Sequence, residues 1–149
     1  MQINILMSKT LAFVGPDAPL RDVAKIMRAK EIGCLPVCED GRVIGIVSDR
    51  DIVYRCVANG YDAKTAPVRD IMTKNVVFCF DDQTDAEAAK LMEKHAIRHL
   101  PVVNRDNKIV GMITLGDLAL RSKTLTRTLL GIIERDARRR EKLHSTHAW

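Results

Sequence analysis

The sequence predicts a mixed fold, α/β (α+β), made of two tandem β-α-β-β-α repeats packed about a pseudo-two-fold axis, with a C-terminal helical extension. Three observations carry this. Residues 7–52 align with residues 72–118, each copy runs through the same order of hydrophobic periodicities, and the charge changes abruptly after the second copy. At an offset of 65, Met7, Lys9, Phe13, Asp17, Ala24, Lys25, Met27, Ile32, Leu35, Pro36 and Val37 meet Met72, Lys74, Phe78, Asp82, Ala89, Lys90, Met92, Ile97, Leu100, Pro101 and Val102. One extra residue in the second copy's turn moves the offset to 66, and Gly45, Ser48 and Asp51 then meet Gly111, Thr114 and Asp117. Identities spread through a whole segment, with a single one-residue gap, mark a duplication.

Each copy opens on a short apolar strand, residues 11–14 and 76–80. A helix follows: Leu20, Val23, Ala24 and Met27 fall at i, i+3, i+4 and i+7, one helical face. In the second copy Thr84 or Asp85 caps a helix that carries Ala88, Ala89, Leu91 and Met92. Two strands come next, residues 34–38 with 43–47 and residues 100–103 with 109–113, joined by Glu-Asp-Gly and Asn-Arg-Asp-Asn, which is hairpin chemistry. A second helix starts near residues 49–51 and 116–117. The polar segment 59–67, with its Gly and Pro, connects the copies. Residues 1–60 are thus read as the first repeat, 61–71 as the connection, 72–122 as the second repeat and 123–149 as a basic amphipathic helix and tail. A unit of about 50 residues is marginal alone, so the copies are expected to share a core and leave a cleft between them.

Composition narrows the class. With 46% hydrophobic residues in 149, wholesale disorder is excluded. The longest apolar runs are a few residues, too short for a membrane-spanning helix. The N-terminus has no secretory pattern, and the four cysteines, Cys34, Cys38, Cys56 and Cys79, form no Cys-x-x-Cys pair; reduced thiols and a cytoplasmic location are expected. The net charge of +5 is not a property of the whole chain: residues 1–118 hold 16 basic and 16 acidic side chains, and residues 119–149 hold eight basic and three acidic ones.

The recurrent chemical element is Gly-apolar-apolar-(Ser/Thr)-x-x-Asp, at Gly45, Ser48 and Asp51 and again at Gly111, Thr114 and Asp117. It falls where a strand ends and a helix begins. There a hydroxyl and unpaired backbone N–H groups can receive phosphate oxygens, and an Asp three residues on can accept hydrogen bonds from two ribose hydroxyls. The same residues also suit a plain structural role, with Ser48 or Thr114 as N-cap and the Asp as first-turn charge.

On these residues the chain resembles the paired domains of the CBS family, the regulatory module named after cystathionine β-synthase. The segments IGCLPV…GRVIGIVSDRDI and IRHLPV…NKIVGMITLGDL carry the resemblance, with the lead-ins Met7-Ser8-Lys9 and Met72-Thr73-Lys74, over about residues 5–120. The resemblance implies a non-catalytic module that senses an adenosine compound (AMP, ADP, ATP, NAD or S-adenosylmethionine) in the cleft between the repeats. It places Ser48 and Thr114 on phosphate, Asp51 and Asp117 on ribose, and Leu35-Pro36 and Leu100-Pro101 beside adenine. It also implies a homodimer and, since no catalytic domain is fused, a protein target supplied in trans.

The two sites are expected to differ. Copy one offers Arg50 beside its Asp where copy two has Gly116; copy two has Arg98-His99 where copy one has Gly33-Cys34, and Arg98 and His99 are placed to reach a phosphate or else to serve as a strand-edge Arg and a satisfied His. Cys34, Cys38, His95 and His99 raise a zinc- or redox-responsive alternative, but two of them lie in an apolar strand and no metal is assigned. No Ser-His-Asp order, nucleophile elbow, Walker loop or dinucleotide glycine fingerprint appears, so no catalytic residue is assigned and no enzyme is expected. In the tail, Leu125, Leu129, Ile132 and Ile133 form an amphipathic stripe, interrupted by Gly131, that packs on the module or on a dimer mate. A nucleic-acid contact through its arginines is the alternative, but no aromatic residue lies among them, so neither nucleic acid nor membrane is an expected partner.

Overall fold

The computed structural model describes residues 1–9, 11–122 and 125–146. A short helix, α1 (Ile3–Leu6), precedes the first copy. That copy has α2 (Leu20–Lys30), a hairpin of β1 (Cys34–Glu39) and β2 (Arg42–Ser48), and a helical segment that begins as α3 (Asp49–Asp51) and widens into π-helical turns over Ile52–Val57. A 3-10 turn, Val68–Asp70, leads to the second copy: β3 (Cys79–Phe80), α4 (Asp85–His95), β4 (His99–Val103), β5 (Ile109–Thr114) and α5 (Leu115–Arg121). A long helix, α6 (Thr126–Thr146), ends the described chain. The mixed α/β class and the C-terminal helix are therefore as the sequence predicts.

The hairpins form where the turn chemistry puts them. Asp40 and Gly41 both take positive φ, 52° and 75°, the geometry that a two-residue turn needs to match strand twist. The opening strands are shorter than their apolar runs. In the first copy only Val14 bridges, parallel to Val37, and in the second only Cys79 and Phe80 pair, parallel to Val102 and Val103. Ala12 and Val77 contribute half-buried side chains to the cores instead of ladder positions.

The chain divides into two compact units, and they exchange their lead-ins. One unit, here the first-copy unit, comprises the described residues of Thr10–Val76 with Asp106–Ile109; the second-copy unit comprises Met1–Lys9, Val77–Arg105 and the described residues from Val110 onward. Ser8, first-copy by sequence, pairs antiparallel with Met112, and Thr73 pairs with Ile46. Each three-stranded arrangement thus gains one bridge from the chain that leads into the other copy.

Each unit has its own core. Val14, Leu20, Val23, Met27, Leu35, Val37 and Val47 pack in the first-copy unit. Ile3, Leu6, Met92, Leu100, Ile113, Leu118, Leu129 and Ile132 pack in the second-copy unit. On α2 the buried stripe is narrower than the sequence predicts: Leu20, Val23 and Met27 are buried, but Ala24 is exposed. Its counterpart Ala89 is buried, because α6 packs along α4, and among the described residues no equivalent helix packs along α2 in the first-copy unit. Of the two placements open to the tail stripe, the structure has the intramolecular one, with Leu125, Leu129 and Ile132 buried and Ile133 left 46% exposed.

Candidate functional site

Both copies of the Ser/Thr-x-x-Asp element close the same reciprocal hydrogen bonds. Ser48 Oγ accepts from Asp51 N at 3.1 Å while Asp51 Oδ2 accepts from Ser48 N at 2.9 Å. In the second copy Thr114 Oγ1 accepts from Asp117 N at 3.1 Å and Asp117 Oδ2 accepts from Thr114 N at 2.9 Å; the Thr114 hydroxyl also donates to that oxygen at 2.7 Å. These are capping boxes, which satisfy two orphan amides of each helix start. A carboxylate offers about four acceptor positions, so capping through Oδ2 leaves Oδ1 with acceptor capacity in both copies.

The expectation of unpaired first-turn amides needs correction in the first copy. Asp49 N donates to the Gly33 carbonyl at 2.9 Å, Arg50 N to Asp49 Oδ1 at 2.8 Å and Asp51 N to Ser48. The short acidic side chain at the first helical position reaches back and takes the amide that an anion would have used. In the second copy Leu115 N donates to the Arg98 carbonyl at 2.9 Å, but Leu115 has no carboxylate to offer Gly116. Gly33 matters for the same reason: a Cβ there would lie 2.9 Å from Asp49 Oδ2, so the carboxylate fills the space beside the glycine.

The remaining predicted residues sit as follows. Leu35, Pro36, Leu100 and Pro101 are buried in β1 and β4. Arg50 and Gly116 are exposed, and the Arg50 guanidinium lies 5.9 Å from the Tyr54 ring centre. His99 is exposed at the start of β4. Arg98, expected either to reach a phosphate or to stand as a strand-edge Arg, has its Nη2 2.6 Å from Asp136 Oδ2 on α6. The sequence reading missed a second recurrent residue, the Arg four positions after each motif Asp. Arg55 donates to the Ile71 carbonyl at 2.8 Å and lies 3.7 Å from Asp51 Oδ1; Arg121 donates to the Leu6 carbonyl at 3.1 Å. Each clasps a lead-in segment to the helix that carries the motif, and the offset of 66 that aligned the aspartates also aligns these arginines.

The motif glycines answer to the lead-ins too. A Cβ on Gly45 would run into the Met72 side chain, and one on Gly111 would come within 2.7 Å of both the Met7 Sδ and the Ser8 carbonyl oxygen. The glycines and the lead-in methionines recur together because they occupy the same contacts.

Three thiols, Cys34, Cys38 and Cys79, are held in the protonated form by their surroundings. Burial, reinforced by Asp51 and then Asp49, pushes Cys34 up from an ordinary 9.0 to about 12; burial alone takes Cys38 to about 11, and burial with the charge of Asp81 takes Cys79 to about 12. Because these folded-state values are raised, the associated stability is complete below pH 9.0 and is lost as the pH rises from there toward 11–12. Native protein at pH 8 is expected to resist iodoacetamide at Cys34, Cys38 and Cys79 and to react at all three in urea; equal rates with and without urea would refute the burial argument. Among the described residues no three His, Cys, Asp or Glu side chains converge as a metal site, and no helix is long and apolar enough to cross a membrane.

Known proteins resemble this chain in sequence and in fold. The family model described as "CBS domain" matches residues 3–58 and 68–123. The chain is 37% identical over 114 residues to the CBS domain-containing protein YhcV of Bacillus subtilis, covering 76% of this chain and 80% of that one. Among solved structures, Hypoxic Response Protein I with two coordinated zinc ions superposes with a TM-score of 0.75 at 30% identity, covering 81% of this chain and 98% of the other. The CBS domain pair of protein MJ0100, in complex with 5′-methylthioadenosine and S-adenosyl-L-methionine, gives a TM-score of 0.72 at 27% identity, covering 80% and 94%.

Proposed function

Because this chain belongs to the CBS-domain family, we propose that its regulatory role is to sense an adenosine compound through the Ser/Thr-x-x-Asp element of each copy. The observation that supports this most is the recurrence of one geometry in two copies, with the same pair of backbone bonds at 2.9 and 3.1 Å. The structural relative that holds 5′-methylthioadenosine and S-adenosyl-L-methionine supports the adenosine class. In this reading Oδ1 of Asp51 or Asp117 takes the ribose hydroxyls and the Ser48 or Thr114 hydroxyl faces the 5′ substituent. Leu35-Pro36 and Leu100-Pro101, buried as they are, form the floor of an adenine pocket and not its lip. The module works as a homodimer on a protein target in trans, and ligand favours one of its conformations by differential affinity.

The copies then differ in the 5′ group they accept. In the first-copy unit Asp49 and Asp51 crowd the helix start, which disfavours phosphate and suits a neutral or cationic substituent such as a thioether or sulfonium. In the second-copy unit Asp117 is kept but Leu115 stands where the first copy has Asp49, and Arg98 stands where it has Gly33, which suits AMP, ADP, ATP or NAD.

Thermal shift with AMP, ATP, NAD and S-adenosylmethionine tests the reading. A ligand at 100 times its Kd stabilises by about 2.7 kcal/mol. Asp51→Ala is expected to remove the S-adenosylmethionine shift and Asp117→Ala the AMP shift, while the Asn variants, which retain a capping oxygen, separate lost charge from a lost cap. Full shifts in both Ala variants would sink the ribose assignment.

A further inference from the structure

We infer that Arg98 and Arg140 form an anion subsite for the phosphates of the ligand, and that Asp136 of α6 is its built-in occupant. The inference rests on the adenosine reading above. Two guanidinium groups converge on one carboxylate oxygen: Arg98 Nη2 lies 2.6 Å and Arg140 Nη2 3.2 Å from Asp136 Oδ2. Asp136 is only 15% exposed, and Arg98 Nε is buried with no hydrogen-bond partner among the described residues. A single carboxylate oxygen therefore leaves the Arg98 fork half used. A phosphate presents several oxygens at the spacing of that fork and satisfies Nε and Nη2 together. Arg98 is also tied to the motif, because its carbonyl accepts Leu115 N at the first position of α5, one residue after Thr114. The guanidinium is thus carried on the same backbone that positions the motif hydroxyl.

A phosphate at Arg98 and the Asp136 carboxylate exclude one another through charge. Binding of a phosphorylated ligand consequently loosens the charged half of α6, while Leu129 and Ile132 keep its apolar half docked. The ligand state of the second copy becomes a state of the C-terminal helix, where Arg138 and Arg139 are exposed to a partner.

The test titrates ATP, 5′-methylthioadenosine and inorganic pyrophosphate into the full chain and into Asp136→Asn and Arg98→Gln. Removing the internal competitor is expected to tighten ATP and pyrophosphate by about threefold or more, the scale of one partly exposed ion pair, and to leave 5′-methylthioadenosine unchanged. Arg98→Gln is expected to weaken ATP and pyrophosphate alone. Hydrogen exchange over residues 134–142 is expected to rise with ATP and not with 5′-methylthioadenosine. Unchanged affinity for both ATP and pyrophosphate in Asp136→Asn, or an equal gain for ATP and 5′-methylthioadenosine, overturns the subsite. Pyrophosphate separates the two failures: tighter pyrophosphate in Asp136→Asn with no binding of either adenosine compound supports the subsite and refutes the adenosine reading. Binding of 5′-methylthioadenosine without any phosphate increment does the reverse.

Discussion

Ile132→Ala is expected to destabilise the second-copy unit by about 2–5 kcal/mol, the cost of emptying a large buried aliphatic site. Ile132 is fully buried and belongs to the same core as Met92, Leu118 and Leu129, although it lies in the segment that carries the chain's excess positive charge. The cavity would open between α6 and α4, two helices that pack along one another and are further tied by Arg135, which donates to the Glu93 carbonyl at 3.3 Å. Neither helix can close the gap without moving those polar contacts. Ile133→Ala is the matched control: that side chain is 46% exposed, and its loss is expected to cost no more than about 0.5 kcal/mol. Urea denaturation of the two variants measures the difference. Equal midpoints would show that α6 does not dock as the structure has it.

The second large effect concerns the motif glycines. Gly111→Ala is expected to cost about 1–3 kcal/mol, and more than Gly45→Ala, by overpacking a filled space. The new methyl on Gly111 would lie 2.7 Å from the Ser8 carbonyl oxygen, and that oxygen accepts Met112 N at 3.2 Å, so relief requires shifting a paired backbone. On Gly45 every near obstacle is the Met72 side chain, a flexible thioether that can swing aside. Met72→Ala should therefore rescue Gly45→Ala, while Met7→Ala should leave most of the Gly111→Ala penalty in place, because the carbonyl remains. Thermal unfolding of the six variants decides this. A Gly45→Ala cost equal to that of Gly111→Ala would refute the distinction between backbone and side-chain obstacles.

Much of this was legible in the residues. The hairpins with Asp40-Gly41 at the first turn and the Thr84 cap follow from spacing, since each depends on neighbours within a few positions, and the duplication follows from aligning the chain with itself. The stripe of Leu125, Leu129 and Ile132 was legible as a stripe, but its burial against the second-copy core was not. The capping function of Ser48 and Thr114 was visible as one of two readings; the return bond from each Asp carboxylate closes the box. Ala24 is exposed although it shares the helical face of Leu20, Val23 and Met27, because periodicity says which residues share a face and nothing of how wide a neighbour covers it. Neither sequence reading of Arg98, a phosphate contact or a strand-edge Arg, includes Asp136, because that partner stands 38 residues away on another helix.

The excess charge after residue 118 shows where the division falls. A neutral, duplicated body built on a Ser/Thr-x-x-Asp element is readable from the residues, because periodicity, turn chemistry and capping are local interactions written at fixed spacings. The three-dimensional fold is what reveals that Ser8 pairs in the second copy's sheet, that Thr73 pairs in the first copy's, and that Arg98 meets Asp136. Those pairings join residues far apart in the chain. Their partners are selected by which path buries both cores and gives the backbone hydrogen-bond partners, and no single segment carries that information.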